Sequence, residues 1–123
     1  MEYAYKRVGT MSFTKTIEAV ERSARDHGFD VLHYHDITAA LAAKGFPIRP
    51  LAIFEIAPAD VELEVPVSLL MPCRINVYEQ DSEVVIAALR PTLFSAVYPE
   101  HELDEIAREF ESAVVAIVDG AVN

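Results

Sequence analysis

The stretch CRINVYEQDSEVVIAAL, residues 73–89, carries the reading of the fold. Cys73–Glu79 and Glu83–Leu89 are both rich in β-branched and aromatic side chains. Gln80–Ser82 separates them with a short polar break. Two such runs flanking such a break predict an antiparallel hairpin.

Reading outward toward the C-terminus, Pro91–Tyr98 is expected to be an irregular connection. A long amphipathic helix is expected next. Pro99 suits its first position, and Glu100, Glu102, Asp104 and Glu105 place negative charge at the positive end of the helix dipole. Leu103, Ile106, Phe110, Val114 and Ile117 recur at spacings of three and four, and Gly120 is expected to end the helix.

Reading toward the N-terminus, Pro58–Pro72 holds room for one helical turn at Asp60 and Val61, limited by Pro66. Leu51–Ile56 is a strand entered through Pro50. Asp36 caps a short helix carrying Ala39, Leu41 and Ala42 and ended by Gly45. Asp30–His35 is a strand. Ser12 caps a helix marked by Phe13, Ile17, Val20 and Ala24, with Gly28 as its left-handed stop and Phe29 closing the cap. Tyr3–Val8 is the first strand. The order is β-α-β-α-β-β-β-α, an α+β pattern that predicts one sheet with helices packed on one face. No repeat, low-complexity tract or linker interrupts residues 1–123, so the chain reads as a single α+β domain.

Composition narrows the function. With 52% hydrophobic residues, the chain is too apolar for a disordered acidic protein. Its net charge of -10 has the wrong sign for capturing nucleic acid or an anionic membrane surface. The charge is uneven: residues 1–49 carry a net +1, residues 50–99 a net -5, and residues 100–123 a net -6. One cysteine excludes an intramolecular disulfide, and with no secretory signal or membrane span read from the sequence a cytoplasmic location is expected. No Gly-rich phosphate loop and no zinc-finger spacing is present. No cofactor and no catalytic residue is assigned.

Several stretches together carry a family resemblance. They are Ser12-Phe13-Thr14, Gly28-Phe29, the strand into Asp36-Ile37, Lys44-Gly45, and above all Leu69-Leu70-Met71-Pro72-Cys73-Arg74 leading into Val77-Tyr78-Glu79. The chain resembles, over nearly its whole length, the small bacterial and archaeal family known as domain of unknown function 302. That resemblance implies a β-α-β(4)-α, TATA-binding-protein-like topology and a homodimer, and it implies no activity. Many relatives have a cysteine and a proline after the third strand. Here the stretch reads Phe54-Glu55-Ile56-Ala57-Pro58, which keeps the proline and lacks the cysteine.

Cys73 is a candidate redox or ligand-binding residue, with Arg74 beside it. A reactive thiolate needs exposure and nearby positive charge. Strand alternation puts Arg74 on the opposite face and groups Cys73 with Ile75 and Val77, which favours an inert core thiol. His33 and His35 form a His-x-His pair on one strand face, a spacing that suits a metal. No third ligand follows from spacing, so a pair at a strand end or a dimer seam competes with a metal site. His27 is expected to cap a helix end and His101 to relieve repulsion among acids. Glu102, Glu105 and Glu109 read as a solvated helix face. Tyr3 and Tyr5, expected on one face of the first strand, together with Tyr34 and Tyr78, mark a candidate sheet-face or dimer surface. The favoured function is a non-enzymatic homodimeric module that binds a small ligand or a protein. Thiol, persulfide or soft-metal chemistry at Cys73 with His33 and His35 is the alternative.

Overall fold

The computed structural model describes residues 2–60, 68, 70–97, 99 and 102–122. Among these residues five strands form one sheet in the order β1-β5-β4-β3-β2, and every neighbouring pair is antiparallel. The strands are β1 (Ala4–Gly9), β2 (Phe29–Asp36), β3 (Leu51–Pro58), β4 (Cys73–Gln80) and β5 (Glu83–Leu89). The helices are α1 (Phe13–Asp26), α2 (Ile37–Ala42), α3 (Thr92–Val97) and α4 (Asp104–Ala121). The α+β class with helices on one side of the sheet is therefore as expected. No helix among the described residues is long and apolar enough to cross a membrane.

The β4–β5 hairpin closes on Gln80 opposite Glu83. Its two loop residues, Asp81 and Ser82, have φ of 53° and 67°. Two left-handed residues in a two-residue loop match the right-handed twist of the flanking strands. Strands β1 and β2 lie at opposite edges, so the segment carrying α1 crosses the sheet between them. Ser12 caps α1 by accepting from the Lys15 N–H at 3.2 Å. Asp36 caps α2 by accepting from the Ala39 N–H at 2.9 Å.

Alternation sorts the sheet residues. Phe54, Ile56, Ile75, Val77 and Ile86 point toward α1 and α4 and are at most 1% exposed. They meet Val20 and Ala24 of α1 and Val114, Ile117 and Val118 of α4. Leu70, Leu103, Ala107 and Phe110 form a smaller cluster beside this core, with Phe94 and Ile106 against it.

Four details depart from the sequence expectations. Pro91–Tyr98 contains α3 rather than an irregular connection. The last helix starts at Asp104, because Glu102 takes a left-handed φ of 54° and Leu103 turns inward, 6% exposed. Gly120 lies inside α4, where it lets α1 approach, and does not end it. The fourth concerns Tyr3 and Tyr5: the strand begins at Ala4, and the two tyrosines part to opposite sides of the sheet, as described below. The expected turn at Val61 and Pro66, and the expected roles of Glu100 and His101, fall outside the described residues.

Candidate functional site

With the helices on one side, the other face of the sheet is uncovered among the described residues. The register brings Lys6, Ala87, Asn76 and Ile53 into one row across it, and Tyr78 opposite Leu51 and Val85 into the next. Ala87 lies between Lys6 and Asn76, and Ala4 lies beside Leu89. Those short side chains leave a hollow of about 310 Å³, lined by Tyr3, Lys6, Arg74, Asn76 and Tyr78 around a floor of Ala87 and Ala88. A volume of that size is at the lower end for a small-molecule site.

The electrostatics of the hollow are unusual for so acidic a chain. Neither Lys6 nor Arg74 has a carboxylate partner among the described residues. The Lys6 ammonium lies 5.8 Å from the centre of the Tyr3 ring, a cation–π contact. Arg74 sits opposite Glu55 in the register, yet the Glu55 carboxylate is engaged by His35 Nε2 at 3.1 Å. Elsewhere Arg7 meets Asp119 at 2.8 Å and Arg25 meets Glu21 at 2.5 Å, while the exposed Arg22, Lys44, Arg49 and Arg108 have no ion pair among the described residues but lie outside this hollow.

The candidate tyrosines divide between the two faces. Tyr3 and Tyr78 line the open-face hollow. Tyr5 points to the helix side, where its hydroxyl donates to Asp119 of α4 at 2.6 Å. Tyr34 pairs with Phe54 on the helix side at the β2 edge, ring centroids 5.0 Å apart. Burial there, with Asp36 nearby, pushes the Tyr34 phenol up. The expected shared face of Tyr3 and Tyr5 is not found, because Tyr3 precedes the strand and is free of its alternation.

Cys73 faces the helices and is 4% exposed. Its thiol is 3.9 Å from the Leu70 carbonyl and 4.0 Å from the Met71 sulfur. Burial pushes its pKa up to about 12, so it is a neutral thiol at physiological pH. His33 and His35 stack at 5.9 Å on the open face, near the β2 edge. The sheet therefore separates the thiol from both histidines. Among the described residues, no three His, Cys, Asp or Glu side chains come together to hold a metal ion.

His27 caps α1 by donating from Nδ1 to the Ser23 carbonyl at 2.7 Å, which requires the proton on that nitrogen. Glu102, Glu105 and Glu109 are exposed, as a solvated face requires. Glu111 is different. It accepts from the Thr92 hydroxyl at 2.5 Å and from Arg90 at 3.1 Å, joining α4 to the start of α3. Burial alone would raise its carboxyl pKa, but the Thr92 and Arg90 hydrogen bonds hold it below the usual value. Its ionised form thus adds stability that is fully present above the ordinary carboxylate value and is lost as the pH falls below it, through the lowered value of the folded state.

Sequence reasoning missed Lys6 and Asn76 as site residues. Their legible signal was the small Ala87 on the uncovered side of an otherwise branched strand, the mark of space left above a sheet. The fold and hollow define a class: a one-sided antiparallel α+β sheet with a small basic concavity on its uncovered face. The chain belongs to the family described as domain of unknown function DUF302, which it matches over residues 5–121. It is similar to an uncharacterised conserved DUF302 protein from Bacillus stearothermophilus whose crystal structure is known. The two share 25% sequence identity and a TM-score of 0.88, over 98% of this chain and 99% of that one. No curated protein matches the sequence.

Proposed function

We propose that the chain is a non-enzymatic binding module that takes a small anion-bearing molecule in the open-face hollow. The observation that carries this reading is that Lys6 and Arg74 flank the hollow without a carboxylate partner among the described residues. A cation left unpaired in a chain with twice as many acids as bases is a preformed place for an external anion. Tyr3, Tyr78 and Asn76 add ring faces and an amide that can orient the rest of the ligand. The thiol alternative has weaker support, because Cys73 is buried, neutral and across the sheet from His33 and His35. The test is a benzoate titration followed by backbone amide shifts. Saturable shifts confined to the surroundings of Lys6, Asn76, Tyr78 and Ala87 are expected, and Ala87→Leu should fill the hollow and abolish them. Absent shifts, or shifts untouched by that substitution, would count against the reading.

A second reading concerns assembly. Leu32, Tyr34, Phe46 and Ile48 are exposed along β2 and the segment that follows it, away from the hollow. β2 is also an edge of the sheet, with one side of its backbone unpaired by another strand among the described residues. Exposed apolar residues on a free edge favour a homodimer through this margin. Sedimentation equilibrium at micromolar concentration should give twice the 13.6 kDa of one chain. A mass near one chain would count against it.

A further inference from the structure

A second hollow, of about 270 Å³, opens where β4 starts and β5 ends, beneath α3. Its wall is almost wholly apolar: Leu70, Pro72, Leu93, Phe94 and Val97, with the neutral Cys73 thiol. Arg74 and Leu89 line both this hollow and the open-face one. Arg90 also borders it, but its guanidinium is held by Glu111 at 3.1 Å and by the Glu2 carbonyl at 3.1 Å. Arg74 is therefore the cation available at the junction, with hydrocarbon on one side and a polar concavity on the other.

We propose that the two hollows together form one site for an amphipathic monoanion, a carboxylate carried on a saturated hydrocarbon chain. This rests on the reading of the open face as the ligand-binding surface. The planar Arg74 guanidinium suits a carboxylate through two parallel hydrogen bonds, and Lys6 adds a point charge. The chain enters the apolar hollow beneath α3, where each buried methylene gains roughly fourfold in affinity. The overall charge of -10 opposes every additional charge on the ligand, which favours a monoanion over a dianion.

The experiment titrates the full chain with butanoate, hexanoate, octanoate and octan-1-ol below micellar concentrations, following backbone amide shifts. Affinity should rise at least tenfold from butanoate to octanoate, with the added shifts at Leu93 and Val97. Octanol should bind at least tenfold more weakly than octanoate. Arg74→Gln should bring octanoate down to the level of octanol. Val97→Glu changes a residue that is 57% exposed on the rim, so folding should survive. It should remove the chain-length dependence and leave butanoate binding in place. If octanoate binds no tighter than butanoate while shifts persist at Asn76, Tyr78 and Ala87, the hydrocarbon site is wrong and the open-face reading stands. Equal affinity for octanol and octanoate would overturn the charged anchor. If no carboxylate in the series binds, both readings fall.

Discussion

Replacing Phe110 by alanine lowers the free energy of unfolding by about 3–5 kcal/mol, measured from urea midpoints at constant slope. Phe110 is 6% exposed and packs with Leu70, Leu103 and Ala107 in the cluster beside the main core. Removing the ring deletes apolar contact and leaves a cavity between α4, Phe94 of α3 and Leu70. A small domain is typically stable by only about 5–15 kcal/mol in total, so the variant should unfold at much lower urea. Phe110→Leu, which keeps most of the volume, should cost about 1 kcal/mol. A loss below about 1 kcal/mol for Phe110→Ala would mean that the cluster collapses into the space.

Gly120→Ala is expected to destabilise by about 1–3 kcal/mol, although alanine is the better helix former by about 1 kcal/mol. A Cβ at position 120 would lie 2.6 Å from Ser23 Oγ and 3.3 Å from His27 Cε1. The Ser23 hydroxyl is fixed, because it donates to the Ile117 carbonyl at 2.6 Å. Either α1 and α4 move apart, or that hydrogen bond breaks at a cost of about 1 kcal/mol. Ser23→Ala in the Gly120→Ala background removes the obstructing oxygen, and the double variant should recover part of the loss. If Gly120→Ala is more stable than the parent, the helices are not held at this distance.

The two substitutions also mark where sequence reading succeeds and where it stops. Phe110 was legible as core because α4 repeats its apolar side chains at helical spacing, and only one face of a helix can be buried at a time. Gly120 was read as a helix stop, since a glycine near the end of a periodic run usually is one. Its real role depends on Ser23, nearly a hundred positions away, and no local pattern encodes that distance. α3 was missed because six residues of mixed polarity carry too little periodicity, and its place is secured by Thr92 and Arg90 meeting Glu111 of α4.

The candidate site divides in the same way. Alternation within β4 placed Cys73 among core residues and Arg74 on the other face, because successive side chains on a strand point in opposite directions. It also put His33 and His35 together. Periodicity could not reveal which strands neighbour one another. Only the order β1-β5-β4-β3-β2 sets Lys6 beside Ala87 and Asn76, gives the Glu55 carboxylate to His35, and leaves Arg74 between two hollows. The sequence by itself determined the elements, the buried faces and the α+β class, since these follow from local spacing and hydrophobicity. The tertiary structure alone decided the hollow and its unpaired charges, since these arise from register between strands distant in the chain.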